Sequence, residues 1–394
     1  MPRFSKTRYL ISYIHLQSKL YKIFESEIIS NQPIINQSST DHQPIINRSS
    51  TDHQPIQLSI MQTSPLTKKV RASLGTLGVL GMELVLMDAP PTTAYLQIYT
   101  DKRCQANCRF CSQAAGANGD MKQIARGQYI PSDLDEVVRR LGIAYERGYL
   151  RRACIQTAMY AKMWQDTTYL ISRIRETSQI PISLSVFPLS DEKYAALKDM
   201  GVDELVVPLD ACSPELFSSI KGKEADSIYN WDTHLDGIRR AVRIFGMGSV
   251  GTHLIIGMGE SARDALGVID ELHADGVYSA LFAYTHLPGT RNVAANLNVN
   301  HYRTVQLGAY LIREGLASFA DMTFRDGKVV DFGISHTEML RYVEVGDAFK
   351  TTGCPDCNRP YATETHQETF NFPIDPNADE IKMIKEQLGI MENF

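Results

Sequence analysis

A chain of 394 residues, 43% hydrophobic and 22% charged, is long enough to bury one large core or two modest ones. Forty Lys and Arg against 45 Asp and Glu give a net charge of −5, which argues against a nucleic-acid or membrane-surface binder. No apolar run reaches the length of a membrane span, and no nucleic-acid or membrane partner is expected.

The first sixty residues stand apart. Gln32–His42 reads QPIINQSSTDH, Gln43–His53 reads QPIINRSSTDH, and a third copy starts at Gln54. This polar repeat cannot bury enough apolar surface to fold alone, so 1–60 is expected to be disordered. Met1–Ser30 mixes Lys and Arg with short apolar stretches, but Glu25, Glu27 and the missing cleavage site argue against a targeting segment. The repeat, and the abrupt change after it, indicate that the working protein starts at Met61. Residues 61–90 then form a lead-in.

From about residue 91 to 300, strand-like runs alternate with amphipathic helices. The predicted strands are Ala94–Tyr99, Ala153–Ala158, Ile182–Phe187, Glu204–Leu209, Gly251–Ile256 and Ser279–Tyr284. Between them, Leu134, Val137, Val138, Leu141 and Ala144 line one face of a helix, with Ser132 as its expected cap. Repeated β-α units imply a parallel sheet. Six units without a nucleotide-binding glycine fingerprint favour an α/β barrel, a partial six-unit one or a complete eightfold one. In such barrels the active site lies at the carboxyl ends of the strands. Residues 301–394 read as an extension with a hairpin turning at Asp326-Gly327, a Cys354-Pro355-Asp356-Cys357 segment and a final helix from Ala378 to Gln387.

Five of the seven cysteines fall in two tight clusters, which in a chain without a secretory signal reads as metal ligation in a reducing, cytoplasmic compartment. Cys104, Cys108 and Cys111 are spaced by three and then two residues, directly after the first predicted strand. Three such thiolates can hold three irons of a cubane and leave the fourth open to chelate a small molecule. A zinc site would need a fourth Cys or His, and the loop has none. Core cysteines do not suit a loop containing Arg103, Gln105, Asn107 and Arg109.

At these residues the sequence resembles the radical S-adenosylmethionine (SAM) superfamily. The resemblance implies a 4Fe–4S cluster on Cys104, Cys108 and Cys111, with SAM at the open iron and Phe110 near its adenine. It also implies one-electron cleavage to a 5′-deoxyadenosyl radical that abstracts hydrogen from substrate. Gly251–Glu260 is similar to the fifth-strand motif that packs on the adenine, which assigns Ile256 and Glu260 to the cofactor. Leu209-Asp210 and Tyr284–Thr290 resemble strand ends of biotin synthase-like members, adding Asp210. The usual Gly-Gly-Glu after the second strand is absent. Gln156-Thr157 stands there and is expected to face the methionine amine.

Cys354 and Cys357 suit a ligand knuckle, with an auxiliary iron–sulfur cluster and a zinc knuckle as alternatives. Cys212, at the expected mouth, is the preferred extra ligand. Cys154 reads as a core residue, and Arg359 as a further ligand or hydrogen-bond donor to the cluster. His253 and His286 read as core or rim groups in the first instance. The Gly-Cys-Pro-x-Cys-Asn-Arg-Pro tail resembles the two-protein lipoyl synthases. That implies sulfur insertion into an octanoyl chain on a carrier protein, a homologous partner subunit, and a reductant such as ferredoxin or flavodoxin. The alternatives are a small-molecule radical enzyme of another outcome (biotin synthase-like, methylthiolase, mutase or lyase) and a non-enzymatic iron–sulfur carrier.

Overall fold

The computed structural model describes residues 67–87, 89–291, 297–359 and 369–390. The N-terminal repeat lies outside them. In chain order, β1 (Lys69–Ser73), α1 (Leu74–Val79), β2 (Thr93–Ile98), β3 (Gln123–Ile124) and β4 (Gly127–Asp133) come first. Then α2 (Leu134–Glu146), β5 (Arg152–Gln156), α3 (Met163–Thr177), β6 (Ile182–Ser185) and α4 (Asp191–Asp199) follow. Next are β7 (Glu204–Val206), α5 (Pro214–Ile220), α6 (Trp231–Phe245), β8 (Val250–Ile256), α7 (Ala262–Ala274) and β9 (Val277–Ala283). The extension adds α8 (Val299–Arg313), the hairpin β10 (Thr323–Arg325) and β11 (Lys328–Asp331), α9 (His336–Val345) and α10 (Ala378–Gln387).

All six predicted β-α strands form, and β2, β5, β6, β7, β8 and β9 pair in that order, parallel throughout. Three strands missed in the sequence complete a nine-stranded sheet: β1 lies antiparallel to β2, β4 to β1, and β3 to β4. They are short and half-polar, so their alternation is weak. The sheet is a curled half-barrel rather than a complete eightfold barrel. Residues of its opposite edges, Ile124–Gln128 and Ala280–Phe282, line one interior cavity. The β9 edge is covered, because the Leu281 N–H donates to Thr352 Oγ1 and Arg359 donates to the Leu281 carbonyl.

The apolar stripe predicted for α2 is buried, but its cap is Asp133, whose carboxylate accepts from the Glu136 N–H at 3.0 Å. Strand β4 runs on through Ser132 to Asp133, so the helix starts at Leu134 as expected but takes its cap one residue later. Strand β7 ends at Val206, short of the predicted Leu209. Pro208 has no N–H to give, and Asp210 adopts φ 67°, a left-handed conformation that Asp tolerates better than most residues. Pairing resumes at one bridge, Asp210 to Leu254.

The extension is tied down by a buried arginine. Arg303 on α8 donates to the Phe370 and Thr369 carbonyls at 2.5 Å each and to Gln306 at 2.7 Å. Among the described residues no helix is long and apolar enough to cross a membrane.

Candidate active site

The cysteine loop leaves the carboxyl end of β2 and is pinned on three sides. Cys104 N–H donates to the Gln113 carbonyl (2.9 Å), Gln105 N–H to Met159 beyond β5 (2.8 Å), and Arg109 N–H to Ile220 at the end of α5 (2.8 Å). Beneath it runs a buried polar chain. Arg71 donates to the Thr100 carbonyl and Gln97, and Gln97 and Gln113 bond each other at 2.8 and 3.0 Å. Arg103 holds the Ser112 and Gly119 carbonyls at 2.7 and 2.9 Å. Every one of these groups would be costly to bury alone, so together they specify one loop conformation.

The thiols suit a cluster. The Met159 N–H already donates to Cys104 Sγ at 3.2 Å, the kind of hydrogen bond that tunes cluster sulfur. Burial pushes the Cys111 thiol up to about 11 and the Cys108 thiol higher, while the nearby Lys221 ammonium pulls Cys108 back. Such thiols ionise only when a metal draws off the proton. Among the described residues no three His, Cys, Asp or Glu side chains gather closely enough for a single metal ion. A cubane, with one thiolate on each of three irons, does not require them to converge on one point.

Next to the loop lies a cavity of about 170 Å³, lined among others by Phe110, Cys111, Gln156, Asp210 and Ile255. Phe110, Gln156 and Asp210, named from the sequence as cofactor residues, line this cavity. Asp210 is held by Lys221, whose Nζ lies 2.7 Å from Oδ2 and 2.5 Å from the Pro208 carbonyl. Three expectations are corrected. Ile256 points into the core and Ile255 faces the cavity, because neighbouring strand residues face opposite sides. The Glu260 carboxylate is fully buried and folds back on the Gly257 and Met258 N–H groups (2.6 and 3.0 Å) and His301 (3.0 Å), shaping the turn after β8. The Thr157 hydroxyl donates to the Ser185 carbonyl on β6 and does not line the cavity.

A second thiol group lies at the other end of the half-barrel. The Cys354–Cys357 loop is strapped beneath the amino ends of the strands. Thr92 and Thr93 donate to the Asp356 carbonyl (2.6 and 3.1 Å), and Arg152 donates to Pro355 (2.9 Å). The Tyr278 hydroxyl lies 3.1 Å from Cys354 Sγ and the Tyr95 hydroxyl 3.5 Å from Cys357 Sγ. Arg359, with φ 29°, stacks its guanidinium 3.7 Å from the Phe282 ring centroid and keeps a buried Nε without a partner.

Cys212 does not join this group. It is buried in the core at the carboxyl end, with Glu260 and Asp264 as its charged neighbours. Cys154 takes its place, with Cys354, Cys357 and Arg359 as its nearest charged influences. It shares with them a cavity of about 310 Å³. Cys154 and Gln156 have the same parity on β5, which was the available signal. His253 is a cavity residue rather than a plain core one. It lines both cavities, and burial lowers it to about 4, so its imidazole is neutral. His286 is exposed on the rim. The two cavities share Ile124, Ala125, Gln156, His253 and Phe282, so the two thiol groups face one interior.

Residues 98–272, which carry the C-x-x-x-C-x-x-C loop at the carboxyl end of the half-barrel, match the model of the Radical SAM superfamily. The curated relatives that the chain is similar to are biotin synthases. It is 29% identical to the biotin synthase of Acinetobacter calcoaceticus over 182 residues, 45% of this chain and 50% of that protein. It is 28% identical, with the same coverage, to that of Acinetobacter baumannii strain AYE. The chain thus spans about half the length of the curated relatives it matches. Among solved structures, the FeFe-hydrogenase maturase HydG from Carboxydothermus hydrogenoformans is 18% identical with a TM-score of 0.45, over 57% of this chain and 52% of that one. Methylornithine synthase (PylB) is 11% identical with a TM-score of 0.45, over 61% and 66%.

Proposed function

We propose that the chain is a radical SAM enzyme that inserts sulfur into an unactivated C–H bond, with an octanoyl chain as substrate. The observation that carries this is the placement of two thiol groups at opposite ends of one largely apolar interior. Cys104, Cys108 and Cys111 would hold the 4Fe–4S cluster, and the cavity beside Phe110 would take SAM. When bound, these supply a 5′-deoxyadenosyl radical able to abstract hydrogen. Cys154, Cys354 and Cys357, with Arg359 beside them, would hold an auxiliary iron–sulfur cluster, which supplies sulfide. Gln156, Ile255 and Asp210 line the cofactor side and orient it. Phe282 and His253 line both cavities and meet in a T-shaped ring contact (4.9 Å). The neutral His253 adds no charge there.

The tail resemblance favours lipoyl-type chemistry with a homologous partner subunit, a carrier-borne substrate and an external electron donor. The curated relatives favour a biotin synthase-like small-molecule substrate as the second reading. Anaerobic reconstitution and turnover with an octanoylated peptide tests the first. Expected are iron above about four per chain, 5′-deoxyadenosine, and a thiolated product. 5′-Deoxyadenosine without thiolation of the octanoyl peptide removes the lipoyl-type reading. No 5′-deoxyadenosine under any reductant removes the enzyme.

A further inference from the structure

The exposed residues among those lining the two cavities are Leu74, Leu86 and Arg126. All three flank one slot, between the start of α1 with Val85, Leu86, Met87 and Pro91 on one side and the β3–β4 turn on the other. Elsewhere the linings are buried or half-buried. At the carboxyl end the cysteine loop packs on the 287–289 turn, where the Asn118 N–H donates to the Gly289 carbonyl at 2.8 Å. At the amino end the strap of Pro355 and Asp356 hangs on Thr92, Thr93 and Arg152.

The slot's walls are apolar. Leu86 is 63% exposed and Leu74 37%, although both sit at the entrance of an interior cavity. They give the mouth of the cavity an apolar lip. Gly75 lines the slot, where an added Cβ would crowd Met87 Sδ at 3.2 Å and Pro91 Cγ at 3.4 Å. Inside, several polar groups are already paired with one another. Gln156 donates to Tyr129, Tyr95 accepts from the Arg359 N–H, and Tyr278 lies against Cys354. A polar substrate would find few free partners along this path, whereas a hydrocarbon chain needs none. At the rim, Arg126 is exposed and makes no hydrogen bond or ion pair with the described residues.

We propose that this slot is the substrate entrance and that it admits a linear acyl chain, methyl end first, with Arg126 meeting the carbonyl or carboxyl oxygen that stays outside. The inference rests on the acyl-chain reading above and adds where the chain enters and what selects it. A chain entering here passes Tyr95 and Tyr129 and reaches Gln156 and His253, between the two thiol groups. Leu74 and Leu86 are then specificity-determining residues.

The test is binding of octanoate and of an octanoyl-lysine peptide to the reconstituted holoenzyme by titration calorimetry. It compares the wild type with Leu86→Glu, Arg126→Glu and, as a distant exposed control, Met247→Glu. Expected is at least a tenfold weaker Kd for the two slot variants and none for the control. Iron content stays unchanged in all of them, which shows that they fold and load alike. Slot-dependent binding of either ligand supports the entrance, and the tighter one tells whether the chain arrives free or carried. Equal binding to wild type and slot variants overturns the entrance but leaves the acyl reading standing. If neither ligand binds the wild type, the acyl reading fails and the entrance with it.

Discussion

Lys221 and Asp210 offer a demanding test of how the cofactor side is built. Their side chains are 5% and 12% exposed and meet at 2.7 Å. Two unit charges at that distance, with an effective dielectric of about 20, attract by roughly 6 kcal/mol. Desolvation takes back most of that, so the pair itself is worth little. Removing one partner is different. Lys221→Met keeps an aliphatic stem but removes the ammonium that lies over the Tyr229 and Phe217 rings, strands the Asp210 carboxylate and leaves the Pro208 carbonyl without its donor. The expected cost is about 3–5 kcal/mol. Lys221→Met with Asp210→Asn removes the stranded charge while keeping a residue that tolerates φ 67°. It should recover more than half of the loss. Urea denaturation of the metal-free protein measures all three stabilities in one cycle. A Lys221→Met cost below about 1 kcal/mol, or a double variant worse than the single, would refute the reasoning.

Three further outcomes follow from the geometry. Cys154→Ala should lower bound iron and sulfide on reconstitution while leaving substrate-free 5′-deoxyadenosine formation intact, and Cys212→Ala should change neither. Iron loss in Cys212→Ala instead would reverse the assignment. Gly251→Ala would place a Cβ 2.1 Å from the Tyr278 ring on the neighbouring strand, so the ring must leave Cys354. The expected destabilisation is about 1–3 kcal/mol, read by thermal or urea melting. His234 is buried and lowered to about 3, because burial outweighs its hydrogen bond to the Asn230 carbonyl. Its folded value lies below the ordinary one of 6.5. Stability is therefore full above pH 6.5 and falls as pH drops toward 3, by about 2 kcal/mol at pH 5. His234→Phe should flatten that slope, and an unchanged slope between pH 6.5 and 4.5 would contradict it.

The sequence by itself determined the chemistry of the first site. Three cysteines on one short loop carry their spacing into any fold, so Cys104, Cys108 and Cys111 needed no long-range information. The six β-α units were equally legible, because the apolar periodicity of helices such as α2 is a local property. The strands were less so. A parallel sheet is buried on both faces, and its runs do not announce which side faces the interior. Only the fold decided that Ile255 rather than Ile256 faces the cavity, and that the Glu260 carboxylate is consumed by its own turn.

The second site was decided by tertiary structure alone. Cys212 is brought by its strand end to the carboxyl side, while the strap carrying Cys354 and Cys357 runs under the amino ends and meets Cys154 there. The partners of that strap, Thr92, Thr93, Arg152 and Tyr278, lie between 76 and 264 residues away along the chain. No local pattern encodes such a distance. The hydrogen bonds formed when the extension docks choose which thiols become neighbours.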